Sequence, residues 1–162
     1  MTTATSMEQI LDVLRSLPDV LELAPTTGSE FPEIAWGDHF FYVAPDGEVP
    51  RTEQPFATIV TKDYPDDATS RLDPPGRWRL NIHVGKARFA DLLGDGPGAW
   101  TGADDPAAAD TLLPHPVYRA QGWVAIIAPG PATLVPALVL LREAHAAARR
   151  RRARRTPTPP AP

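Results

Sequence analysis

Apolar positions Ile10, Leu11, Val13, Leu14 and Leu17 recur at the spacing of one helix face, and Pro18 stops the run. Ser6 followed by Gln9 resembles a capping box at its start. The pattern then changes period. Val20–Leu23 reads as a short strand and Thr26–Ser29 as a turn. Glu33–Trp36 and Asp38–Val43 read as two strands broken at Gly37, and Pro45-Asp46-Gly47 turns the chain. Phe56–Lys62, rich in β-branched residues, is a further strand. Asp63–Gly76 holds three prolines among acidic residues and is expected to be an exposed loop.

Strict alternation returns at Arg77–Val84. Side chains alternate faces along a strand, so Arg77, Arg79, Asn81 and His83 share one face and Trp78, Leu80, Ile82 and Val84 the other. Lys86–Leu93 reads as a short helix with Phe89, Leu92 and Leu93 on one side. Gly94–Leu113, dense in Gly, Asp, Pro and Ala, reads as irregular, with a helical turn near Pro106–Thr111. Trp123–Ala128 is apolar on both faces and is expected to be an interior strand. Gly130-Pro131 introduces a last helix capped by Thr133, with Pro136 in its first turn and Leu134, Leu138, Leu141, His145 and Ala148 as its buried stripe. That helix is expected to fray into Arg149–Arg155.

The connections between strands are too short for crossover helices, so the sheet should be mainly antiparallel. The expected fold is α+β, a single domain with about five or six strands and with the N-terminal and long C-terminal helices packed on one face. Residues 1–148 form the domain, and 149–162 an Arg-rich then Pro-rich disordered tail.

Composition narrows the chemistry. The 162 residues suit one domain with a real core, and there is no cysteine, which removes thiolate chemistry, disulfides and cysteine metal sites together. No apolar run is long enough for a membrane span, and Met1–Ser6 lacks the layout of a signal peptide, so a cytoplasmic location is expected. Of 16 Lys and Arg, six fall in 149–155, whereas all 20 Asp and Glu lie before them. The body is therefore strongly acidic and opposes nucleic-acid binding, leaving only the tail as a basic patch. The four histidines are isolated in sequence, so no metal spacing is seen. No phosphate-loop or nucleophile-elbow pattern occurs, and no cofactor is implied.

Several blocks carry a resemblance. Pro32–Asp38 with Phe40–Tyr42, Pro55–Pro65, Arg79–Lys86, and His115–Tyr118 followed by Gly122–Val124 resemble, in order, the blocks of the actinobacterial domain-of-unknown-function family 6194. The resemblance spans residues 7–148 and leaves the Arg run outside. It transfers little chemistry, since the family's function is not established. A weaker likeness to the MmcQ/YjbR-type fold implies a leading helix, an antiparallel sheet and a closing helix. It also implies, for some members, DNA binding through a double-wing surface.

Two readings of the polar strand face stand side by side: a wetted sheet surface, or a site. In the second, Arg79 clamps a carboxylate or other anion, Asn81 orients it and His83 moves a proton. Lys62 and Tyr64, at a strand end entering a loop, are candidate acid or electrophile, and Trp36 and Trp123 are candidate walls. Lys62 strengthens this site if it shares the face of Arg79 and His83. For His115 the plain reading is a turn role, and for His145 a satisfied histidine on a buried stripe. The leading expectation is a pocket on the sheet for a small polar or anionic molecule, with acid/base catalysis as an extension. The alternatives are a nucleic-acid or protein-binding module using the Arg tail, and a domain that dimerises through its open sheet face.

Overall fold

The computed structural model describes residues 5–94 and 105–155. Helix α1 (Ser6–Ser16) is closed by a capping box one residue earlier than the sequence suggests: Thr5 Oγ1 accepts the Glu8 amide at 3.1 Å and Glu8 Oε2 accepts that of Thr5 at 2.8 Å. Six antiparallel strands follow: β1 (Val20–Leu23), β2 (His39–Val43), β3 (Ala57–Val60), β4 (Arg79–His83), β5 (Leu112–Pro114) and β6 (Trp123–Ile127). Their spatial order is β1-β2-β3-β4-β6-β5. Helix α2 (Lys86–Leu93) follows β4, and α3 (Leu134–Arg155) closes the fold.

The alternation read from the sequence sets the two faces. In β4, Leu80 and Ile82 join Phe41 and Val43 of β2, Ala57 and Ile59 of β3, and Val124 and Ile126 of β6 in the main core. Trp78 and Val84 pack at its margin. Ile10 and Leu14 of α1, Phe89 of α2, and Ala137, Leu140, Leu141 and Ala144 of α3 cover that layer. Each fully buried Leu, Ile or Phe contributes about 1.5–3 kcal/mol by leaving water. All three helices therefore seal one face, and the other is left to Arg79 and Asn81 with the odd-numbered residues of β6 and the even-numbered ones of β2 and β3. β6 is buried along its whole length, as its uninterrupted apolar run requires.

Four expectations change. Glu33–Ala35 is a 3-10 turn and not a strand, entered from Pro32, and Gly37 turns back to donate to Pro25 O at 2.8 Å. The stretch read as irregular, Gly94–Leu113, ends in the first two residues of β5, which adds an edge to β6, and its residues 95–104 lie outside the described residues. The loop 63–76 is not simply exposed: Leu72 and Ser70 are buried, and it lies over the helix-free face. Finally, α3 does not fray at the Arg run but continues through Arg155. Arg152 bonds Val43 O at 3.3 Å and Glu53 at 3.4 Å, and Arg149 lies 3.9 Å from Asp19. Thr156–Pro162 lies outside the described residues. Among the described residues, no helix is long and apolar enough to cross a membrane.

Asp110 anchors the start of α3. Its carboxylate accepts the amides of Gly130, Ala132 and Thr133 and the Thr133 hydroxyl at 2.5–3.0 Å. The hydroxyl bond, followed by those amides, holds Asp110 below the usual carboxylate range. The Thr133 hydroxyl, expected to cap the helix, is instead a donor to Asp110, which fixes the turn leading into α3.

Candidate ligand pocket

A pocket of about 460 Å³ opens on the helix-free face. Its floor is Thr58, Val60, Arg79 and Asn81 of β3 and β4, with His115 beside them. Phe40 and Tyr42 of β2, Trp123 at the start of β6, Tyr118, and Tyr64 from the loop form its walls. Asp66 and Asp67 close one side. The alternation of β4 puts Arg79 and Asn81 here, and the antiparallel register places Asn81 opposite Thr58 and Ala125.

Arg79 is 2% exposed and its fork is occupied from within the chain. Nη1 and Nη2 donate to Asp67 Oδ1 and Oδ2 at 2.9 and 2.6 Å, a bidentate pair. Nη1 also donates to Ser70 Oγ at 2.8 Å, and Nε to Asn81 Oδ1 at 2.7 Å. Asn81 Nδ2 in turn donates to Thr58 Oγ1 at 2.9 Å. Burial alone would raise Asp67, but the hydrogen bonds and charge of Arg79 outweigh it and hold the carboxyl below its usual range. The bidentate fork that the sequence assigned to a ligand is spent within the chain, on Asp67. Arg77 pins the same loop through bonds to the carbonyls of Arg71 and Ser70 at 2.6 and 2.9 Å, and ties it to the segment before β5 through Ala107 O at 2.8 Å.

His115, which the sequence suggested only as a turn residue, does hold a turn: its Nδ1 accepts the amides of Val117 and Tyr118 at 3.1 and 3.0 Å. It is also the imidazole of the pocket, 3% exposed, with Nε2 3.2 Å from Arg79 Nη2. Burial, with the Arg79 cation adding to it, pushes its pKa down to about 3. A lone histidine before proline carries no local sign of this role, which depends on β5 pairing with β6.

The remaining candidates divide. Tyr64 and Trp123 line the pocket. Lys62 and Trp36 do not: Lys62 Nζ donates to Trp36 O at 2.8 Å and to Asp38 Oδ1 at 3.0 Å, and Trp36 Nε1 donates to Phe31 O at 2.9 Å. Asp38 is fully buried and gathers this corner, accepting the Thr61 amide and hydroxyl at 2.8 and 2.7 Å and the Tyr64 hydroxyl. Burial first, then the Tyr64–Asp38 bond and the nearby carboxylates, push the phenol above its usual range. Asp38 and the adjacent His39 are not a dyad, since His39 pairs with Glu22 of β1 at 2.7 Å. Tyr64→Phe is expected to cost about 1.5–3 kcal/mol in urea denaturation, because it leaves a buried carboxylate oxygen without its donor. The pocket wall it forms stays in place.

His83, the candidate proton carrier, sits at the end of β4 outside this pocket. It stacks on Trp123 at 5.2 Å, and its Nε2 lies 3.0 Å from Gln121 O. It faces a second pocket of about 310 Å³ with Glu53, Arg151 and Arg155. Burial, then the charge of Arg151, lowers its pKa. His145 is the satisfied histidine expected of its stripe, with Nε2 2.7 Å from Pro18 O and its ring edge-on to Phe56.

A six-stranded antiparallel sheet sealed by helices on one face, with a buried polar pocket on the other, defines a single-domain α+β protein. The chain belongs to the family of unknown function DUF6194, whose model matches residues 4–157. That match takes in Arg149–Arg155, beyond the span of the resemblance read from the motifs. No curated protein and no solved structure matches the chain.

Proposed function

We propose that the protein binds a small polar molecule in the pocket over β3, β4 and β6. The observation that carries this is the composition of the pocket: a floor of buried polar groups, Arg79, Asn81 and His115, beneath the aromatic walls Tyr42, Tyr64, Tyr118 and Trp123. Apolar walls with a few placed polar groups are what a small-molecule site needs, the walls for affinity and the polar groups for orientation. A merely wetted sheet face would leave Arg79 in water, whereas here it is almost wholly enclosed.

The charge balance favours an uncharged polar ligand over an anion. Arg79 is neutralised by Asp67, and Asp66 adds a negative charge to the same wall. Three lining groups also hold one protonation state around neutral pH: His115 is neutral, Tyr64 is protonated and Asp67 is ionised. That supports recognition over proton transfer.

The test is thermal unfolding against a panel of small uncharged and anionic polar compounds, with wild type and Tyr118→Ala. Tyr118 is about half exposed at the rim, so its truncation should leave the fold intact. A true ligand at a hundredfold excess over Kd adds about 2.7 kcal/mol of stability. The expected result is a Tm increase for some uncharged members that Tyr118→Ala diminishes. No increase across the panel would overturn the reading.

A further inference from the structure

We infer that Arg79 Nη2 and His115 Nε2 form a two-donor site for one carbonyl oxygen of an uncharged, planar ligand such as an amide, a lactam or a nucleobase. This rests on the pocket reading above and names the ligand's chemistry.

Two backbone amides, those of Val117 and Tyr118, converge on His115 Nδ1 at 3.1 and 3.0 Å. An atom that accepts from backbone N–H groups carries no proton of its own. The neutral ring must then carry its proton on Nε2. Nε2 lies 3.2 Å from Arg79 Nη2, and a guanidinium has donors only. The two nitrogens therefore meet donor to donor.

The other protonation states do worse. A proton on Nδ1 would let Arg79 donate to Nε2 but would strand both backbone amides. A second proton would set an imidazolium against the guanidinium in a buried corner, which the strongly lowered pKa of His115 opposes. In every state this corner has more donors than acceptors.

Arg79 cannot turn away to relieve the conflict. Nε is held by Asn81, Nη1 by Asp67 and Ser70, and one hydrogen of Nη2 by Asp67 Oδ2. Only the second Nη2 hydrogen points to His115. A buried donor without an acceptor is costly, and an acceptor that meets both donors recovers that penalty as affinity. A carbonyl oxygen has two lone pairs and satisfies both N–H groups at once.

The class of ligand follows from the surroundings. Asp67 already balances Arg79, and Asp66 makes the wall acidic, so an extra negative charge is not called for. Trp123 and Tyr118 flank His115, with ring centroids 6.3 and 5.0 Å from its own, and they offer flat apolar surface to a planar group bound beside it.

The experiment uses the full chain and two isosteric probes, benzamide and benzoate. In ligand-free protein, nitrogen-15 NMR of the histidine side chains should show His115 as the Nε2–H tautomer, without titration around neutral pH. Benzamide should shift that Nε2–H signal and raise Tm, and benzoate should bind at least about tenfold more weakly. His115→Asn keeps a short side-chain acceptor for the Val117 and Tyr118 amides but has no N–H at the position of Nε2. It should weaken benzamide at least about tenfold with the fold intact. An Nδ1–H tautomer, equal or tighter binding of benzoate, no binding of benzamide, or unchanged benzamide affinity in His115→Asn would each overturn the inference. A compound that perturbs Trp123 and Tyr118 signals but not the His115 Nε2–H would overturn it while leaving the pocket reading intact. If no compound perturbs any of the three, both fail.

Discussion

Asp67→Ala is expected to lower the unfolding free energy by about 3–5 kcal/mol, because it leaves the Arg79 guanidinium buried and without its counter-charge. The side chains of Arg79 and Asp67 are 3% and 12% exposed, so water cannot replace the lost partner without opening the loop. In a domain of this size that loss lowers Tm by roughly 10 °C. Replacing the pair together, Asp67→Leu with Arg79→Met, should recover much of it, since the penalty lies in the orphaned charge and not in the absence of an ion pair. A double-mutant cycle reads the coupling directly. A coupling near zero would mean that Arg79 is not held as described.

The pair also has a pH signature. Asp67 titrates below its unfolded value, so its contribution is complete above the ordinary aspartate range of about 3.9. It is lost as pH falls through the lower, folded pKa. The stability gap between wild type and Asp67→Ala should therefore narrow in acid below about pH 4 and stay constant above it. A gap that widened in acid would contradict the sign of the shift.

Gly122→Ala is expected to be damaging although it alters neither charge nor polarity. Gly122 has φ +87°, and an added Cβ would stand 2.5 Å from the carbonyl carbon of Gly85 and 2.8 Å from its Cα. The left-handed conformation costs about 1–2 kcal/mol for an L-residue. Displacing the Gly85 backbone costs about 1–3 kcal/mol more. The Gly122 carbonyl accepts the amides of Val84 and Gly85 at 3.0 and 3.1 Å, so the shift would unsettle the junction of β4 and β6. Tyr118 and Trp123, close on either side, would lose their positions in the pocket. Gly28→Ala is the control: φ is +82° but nothing lies within 4 Å, so only the conformational cost of about 1–2 kcal/mol should appear. Equal losses at the two sites in chemical denaturation would refute the steric account.

The faces of the sheet were legible because a period of two is a local property. Arg79 and Asn81 follow from it, as do Leu80 and Ile82 opposite them. The helices were legible from their apolar spacing, except for the end of α3, which runs on through Arg155 where fraying was expected. What stayed hidden depends on contacts distant in sequence. Asp67 reaches Arg79 from a loop whose composition suggests only exposure, and its carboxylate turns an apparent ligand clamp into an internal pair. Lys62 follows the parity of β3, yet two residues past the strand its ammonium turns to Asp38. His115 reaches the floor only because β5 forms, and three residues ending in proline carry almost no strand signal. Glu33–Trp36 looked extended because a single turn of 3-10 helix is too short to show a helical period.

The brevity of β5 bears on how the protein behaves in company. Within β5 and the residue after it, alternate backbone groups face inward to β6 and outward. His115 donates inward, to Trp123 O at 3.0 Å, so the position before it, Pro114, faces outward and has no N–H to offer. The outer rim of the sheet on this side is thus three residues long with its last donor missing. A second chain laid against it would meet no donor at Pro114, and the hydrogen-bonded ladder between the two would be weakened there.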